Sequence, residues 1–190
     1  MPNTLLKRVP EESMSENIKV AHQREKKRRD DATFLEVAAN APEIYKWYTD
    51  SFYKQIFYGG RVEIRIKELL RLRLSMTHGC AFCNKGNRLA ANEAGVSNTQ
   101  IAKIMNTEAD CFDSKDKAIL NLADQIVLTN MNGNLDKKLY SELSKHFDDA
   151  QIFELGVTAG ILTGMAKFLF VYDLVEKEDN CPIIPLDNNE

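Results

Sequence analysis

The chain has 190 residues, with 25 Lys+Arg against 28 Asp+Glu, a formal net charge of −3, and 44% apolar residues. That length and balance suit a folded domain with a core of its own, exclude wholesale disorder, and argue against a general nucleic-acid binder, which needs a strongly basic surface. Glycine and proline together make about 7% of the chain, against an ordinary ~12%, so helix breakers are scarce and long helices are expected.

The first fifteen residues carry charges with no apolar run behind them. They do not read as a secretory leader, which points to a cytoplasmic setting in which thiols stay reduced unless they do chemistry. Residues 11–31 are mostly charged and end in five bases and three acids over residues 24–31. This reads as a solvated helical arm carrying its own counter-charges, set apart as residues 1–31 from a domain spanning 32–178 and an irregular tail, 179–190, that holds Pro182 and Pro185. From Ala32 a short amphipathic turn follows. Pro42 then suits the first position of a helix that runs through Tyr48, Phe52 and Phe57 to a stop at Gly59 and Gly60.

Val62 to Met76 alternates like a strand, with seven of the eight even-numbered positions apolar. It is too long for an ordinary strand and rich in Glu, Lys, Arg and Leu, so the expected element is a helix. Cys80 to Ala94 continues as helix after a break at His78 and Gly79. Ser97 and Gln100 form a capping box, residues 114–130 and 135–147 are amphipathic helices, and Asp148 and Gln151 cap a last long helix ending near Glu178. That helix holds an apolar stretch, Leu155 to Val175. Lys167, Asp173, Thr158 and Thr163 interrupt it, so it reads as a buried helix of a soluble protein rather than a membrane span. Gly156, Gly160 and Gly164 form a small stripe for close helix packing, inside the subunit or between subunits. The expected class is all-α.

Cys80-Ala81-Phe82-Cys83 is the sharpest chemical feature. At i,i+3 in a first helical turn, the two sulfurs share a face beside unpaired backbone N–H groups and the positive end of the helix dipole, which favours a thiolate. A redox pair, two small apolar core residues, and half of a zinc site all fit that spacing. His78, Cys111, His146 or Cys181 would have to complete the metal set. Glu68 lies on a ridge with Ile64, Leu72 and Met76. A carboxyl facing the core there has a raised pKa and can trade protons near neutrality; the alternative is a surface Glu paired with Arg65 or Arg71. Cys111 and Cys181 read as bystander thiols, and neither His22 nor His146 suggests a site.

Glu68, Cys80 and Cys83 together resemble the carboxymuconolactone decarboxylase / alkylhydroperoxidase D-like family, which carries a Glu-x11-Cys-x-x-Cys-x3-His signature. The strings Asn40 to Glu43, Phe57 to Arg61, Glu68 to Ser75, and Asn87 to Gly95 resemble it too, and the likeness covers about residues 34–176. It implies an alkylhydroperoxidase D-like helical subunit in a symmetric homo-oligomer, trimeric or hexameric. The implied activity is a peroxiredoxin-type reduction of alkyl or hydrogen peroxide, with Cys83 peroxidatic, Cys80 resolving and donating protons, and Glu68 in the proton relay. An external dithiol or disulfide reductase would restore the pair; no metal, other cofactor, nucleic acid or membrane is implied. The family His is Asn87 here, which cannot take a proton; His78, two residues before Cys80, is the possible substitute. Two other readings belong to the same resemblance: a carboxymuconolactone decarboxylase-like enzyme, and a non-catalytic oligomeric redox sensor.

Overall fold

The computed structural model describes residues 2–183; the expectation for Pro185 and the end of the tail lies outside them. All regular structure among the described residues is helical. The α-helices are α1 (Glu16–Arg29), α2 (Thr33–Ala38), α3 (Pro42–Trp47), α4 (Ile64–Thr77), α5 (Ala81–Glu93), α6 (Asn98–Lys103), α7 (Ser114–Ile126), α8 (Lys137–Leu143) and α9 (Asp149–Val171).

At the centre is α4, packed on α5, α7 and α9. Its residues 66 to 75 are all buried, including Lys67, Glu68, Arg71 and Arg73. This explains the strand-like alternation. A helix enclosed on every side has no polar face, so its apolar side chains contribute roughly 1.5–3 kcal/mol each while its charged ones must find partners. Lys67 donates to Ile56 O at 2.7 Å and to Glu154 Oε1 at 3.0 Å. Glu154 also accepts from the backbone N–H groups of Arg61 and Val62, fixing the loop into α4. Arg73 grips Asp124 of α7 with two 2.8 Å bonds, and Arg65 does the same to Asp116 at 2.7 and 2.9 Å.

Several expected boundaries move. α7 stops at Ile126, where Val127 turns extended, and α8 is confined to Lys137–Leu143 behind an Asp136 cap. The capping boxes at Ser97 and at Asp148 are both formed. α9 ends at Val171 rather than near Glu178, because Asp173 takes a positive φ of 49° and turns the chain back.

The segment after α3 is also different from the expected α-helix. Tyr48–Phe57 is π-helical, with i→i+5 bonding that ends in Tyr58 N–H donating to Tyr53 O at 2.8 Å. A period near five puts Tyr48, Tyr53 and Tyr58 in one row, with ring centroids 5.1 and 5.9 Å apart, and Phe52 and Phe57 in another, at 6.0 Å. Each such contact is worth ~0.5–1.5 kcal/mol beyond its area, which offsets the poorer backbone geometry. Runs of this kind concentrate at functional sites.

The charged arm is helical, but it is not a solvated appendage. α1 buries Ile18, Ala21 and His22 and packs on α2 and α5. His22 lies between Glu36 at 3.2 Å and Glu11 at 3.3 Å, and Arg8 pairs with Glu36. The correction follows from spacing: 18, 21 and 22 share one helical face, which the dense charge elsewhere on the arm conceals.

α9 is likewise not fully enclosed. It is 23 residues long, with a mean hydropathy of 1.4 over its most apolar window, only 39% of which is buried. By length and composition alone it passes as a membrane span. Here one side packs on α4 and α7, while Phe153 and Val171 are exposed and added side chains at Gly156, Gly160 and Gly164 would meet open space. The glycine stripe therefore faces outward and does not serve packing within the subunit.

Candidate active site

The turn between α4 and α5 builds the site. Gly79 has φ +64°, a conformation that side chains disfavour, and a Cβ there would crowd the backbone of Cys181 at 2.7–2.8 Å. This glycine lets the chain reverse beneath the C-terminal tail. Cys80 then becomes the N-cap of α5, its sulfur accepting the Cys83 N–H at 3.2 Å. Cys80 and Cys83 are joined as a disulfide, with Cα atoms 5.2 Å apart. Cys80 is fully buried and Cys83 only partly so. In the reduced state both sulfurs would sit at the positive end of the α5 dipole, where a thiolate is favoured.

The tail covers this helix start. Phe82 N–H donates to Glu176 O at 3.3 Å, Glu178 N–H to Gly79 O at 2.8 Å, and Asn84 Nδ2 to Glu178 Oε1 at 2.7 Å. Cys181, read from the sequence as a bystander, packs against the apolar cluster that contains Cys80 and Cys83. Cys111 instead borders the main core.

Both cysteines line a cavity of about 520 Å³. His78, Ser75 and Asn87 are on its wall, with Arg71, the tyrosines of the π-helical segment, and Arg24, Glu25, Arg28 and Arg29 of α1. Asn87, one turn beyond Cys83, is buried and donates to Ser75 Oγ at 3.0 Å. His78 is also buried, and its Nε2 accepts the Leu128 N–H at 3.2 Å. Burial holds its pKa down at about 4, so the imidazole is neutral at pH 7 with its proton on Nδ1. Glu68 is buried behind this wall and paired with Arg71 rather than exposed on the surface. Burial raises its pKa, and Arg71 opposes the rise. The cavity is thus lined by four of the five residues singled out from sequence, and Glu68 adjoins it through Arg71.

Arg29, Arg71 and the tyrosine row were not singled out as site residues. Arg29 lies 4.4 Å over the Phe82 ring, donates to Phe82 O at 3.3 Å, and occupies the space beside Gly86 that a Cβ would take. The five-residue spacing of Tyr48, Tyr53 and Tyr58 is the one signal in the sequence that could have pointed to their row. Among the described residues, no group of three or more His, Cys, Asp or Glu side chains is placed to hold a metal ion.

A model of the carboxymuconolactone decarboxylase family matches residues 42–125, from α3 to the end of α7, with the disulfide inside the match. That stretch resembles the carboxymuconolactone decarboxylase family. The uncharacterized protein YdfG of Bacillus subtilis is 29% identical over 90 residues, 47% of this chain and 60% of that relative, so the match spans less than two thirds of its length. The fold recurs in solved structures, and two serve as examples. One is the alkylhydroperoxidase AhpD core of an uncharacterized peroxidase-related protein from Ralstonia eutropha JMP134, 11% identical, covering 94% of each chain with a TM-score of 0.71. The other is the apo debrominase Bmp8, 15% identical, also covering 94% of each chain with a TM-score of 0.71. The carboxymuconolactone decarboxylase family includes enzymes, and at these identities the two structures speak for the helical fold alone.

Proposed function

We propose that this chain is a thiol-dependent peroxidase that reduces alkyl or hydrogen peroxide through Cys83 and Cys80. The observation that carries this reading is the disulfide at the start of α5, with one partly exposed sulfur and one buried sulfur, opening on a cavity. The Cys83 thiolate attacks the terminal peroxide oxygen; the O–O bond breaks, Cys83 becomes a sulfenic acid, and the alkoxide leaves as alcohol after taking up a proton. The Cys80 thiolate then attacks the Cys83 sulfur, forming the disulfide and releasing hydroxide, which a second proton converts to water. Two thiols are oxidised, one peroxide is reduced, and an external dithiol or disulfide reductase returns the two electrons.

In this scheme Cys80 and the buried carboxyl of Glu68 handle the protons. Asn87 positions but cannot transfer them, and neutral His78 can accept one only weakly. A cytoplasmic setting supplies the reductant. The outward apolar face of α9 is the surface through which copies would assemble into a homo-oligomer. The test is to add one equivalent of cumene hydroperoxide to the reduced protein, follow thiol loss, and map the product by mass spectrometry. Rapid loss of two thiols into a Cys80–Cys83 bridge is expected, with Cys83→Ser inert and Cys80→Ser halted at a sulfenic acid. Undiminished peroxide consumption by Cys83→Ser would overturn the reading.

A further inference from the structure

We infer that the cavity selects organic hydroperoxides that carry a carboxylate, and that Arg71 holds that carboxylate while the peroxide end meets Cys83. The inference deepens the peroxidase reading and rests on it. A volume of about 520 Å³ matches an organic ligand and far exceeds the need of hydrogen peroxide. Much of the wall is aromatic or apolar, with Tyr45, Tyr53, Phe82, Leu162 and Leu169 among its residues.

Arg71 is the most deeply buried cation of that wall. It is 9% exposed, its guanidinium lies 4.7 Å over the Phe57 ring, and Nη2 pairs with Glu68. Arg71 also lines the cavity, and a ligand carboxylate is the acceptor that planar guanidinium geometry fits best. The surrounding charge agrees. Among the described residues, Arg24, Arg28, Arg29, Lys54 and Arg71 line the cavity against the single carboxylate of Glu25. Glu25 is shared by Arg24 at 3.1 Å and Arg29 at 2.8 Å, while Arg28 reaches Glu93 at 3.5 Å. Counting Glu68 and Glu93 with Glu25 still leaves the neighbourhood positive, which concentrates anions. The cations of α1 lie outside residues 42–125, the stretch that matches the family, whereas Phe82, which Arg29 covers, lies inside it.

The spacing also fits. Arg71 is one turn before Ser75 on α4; Ser75 meets Asn87 on α5, and Asn87 is one turn beyond Cys83. Two turns span roughly 11 Å along the helix axes. Arg71 reaches back to Glu68, one turn N-terminal, so at least that length, the span of a para-substituted ring or a short chain, separates carboxylate from peroxide.

The experiment compares three probes on the reduced protein: cumene hydroperoxide, its para-carboxylate, and the methyl ester of that carboxylate. The rate of Cys80–Cys83 disulfide formation is followed by stopped flow at limiting peroxide. The carboxylate is expected to react at least ~tenfold faster than its ester, and the ratio to fall toward one in Arg71→Gln. A second measurement needs no variant: on the wild-type protein, the carboxylate-bearing alcohol product is expected to bind at least ~tenfold more tightly than its methyl ester. Equal rates and equal binding for acid and ester, with the bridge still forming, overturn this inference and leave the peroxidase reading standing. A preference that survives in folded Arg71→Gln overturns the assignment to Arg71. If none of the three hydroperoxides forms the bridge, the peroxidase reading itself fails and takes this inference with it.

Discussion

His78 offers a quantitative check on the buried wall of the site. Its imidazole is neutral in the folded state, with a pKa held at about 4 by burial, against an ordinary 6.5. Between these values the unfolded chain binds the proton and the folded one does not. Stability therefore falls as pH drops through that window, and below pH 4 the penalty levels off. The linkage relation makes the loss from pH 7 about 2 kcal/mol at pH 5 and about 3 kcal/mol at pH 4. His78→Gln removes the titration while offering an amide oxygen to the Leu128 N–H. Urea unfolding of both proteins, with the disulfide intact, checks the sign and size. The wild type should lose roughly 1 M of urea midpoint between pH 7 and pH 5 relative to the variant, at a typical slope of ~2 kcal/mol per M. The comparison is a difference because Glu68, with its raised pKa, works in the opposite direction, and Glu36 and Glu154, with lowered pKa values, lose stability on acidification in both proteins. Parallel curves for wild type and variant would refute the assignment of a neutral, buried His78.

Asn87→His restores a titratable group one turn beyond Cys83. Under the peroxidase reading it should raise the rate of disulfide formation by ~10²-fold or more, with a pH profile rising through the new imidazole pKa. Gly86→Ala places a methyl group where the Arg29 guanidinium lies. It should lower thermal stability despite the helix propensity gain of ~0.5–1 kcal/mol, whereas Arg29→Ala/Gly86→Ala should recover that gain in a double-mutant cycle. Phe153, 76% exposed on α9, is the probe of assembly. Phe153→Glu should shift light-scattering mass toward the monomer while leaving the circular dichroism unchanged.

Local chemistry made much of this chain legible. Pro42, the Ser97 and Asp148 capping boxes, and Cys80 to Cys83 mark their own positions, because caps and first turns depend on residues three or four apart. α4 was readable only by setting composition against period, since enclosure on all sides erased its amphipathic stripe. The π-helical run was missed because the usual template tests spacings of three and four, whereas Tyr48, Tyr53 and Tyr58 repeat at five. The role of α1 was hidden for another reason. Arg29 is recruited by Phe82 and Gly86, more than fifty residues away, and nothing within the arm announces such a partner. Burial of Glu68 was written in its apolar ridge, but its distance from the cavity surface was not. That depends on Arg71, which occupies the place between.

Under the peroxidase reading, the unequal burial of the two half-cystines also dictates the direction of electron return. An incoming thiolate must approach a disulfide along the sulfur–sulfur axis, and only Cys83 offers an open end from the cavity, since Cys80 is fully enclosed beneath the tail. On that reading the mixed disulfide with a reductant would form on Cys83, and Cys80 would be the leaving group, departing as a thiolate against the α5 N-terminus. Oxidant and reductant then take turns at one doorway and cannot occupy it together. Such a cycle would be a two-stroke exchange in which excess of either partner slows the other.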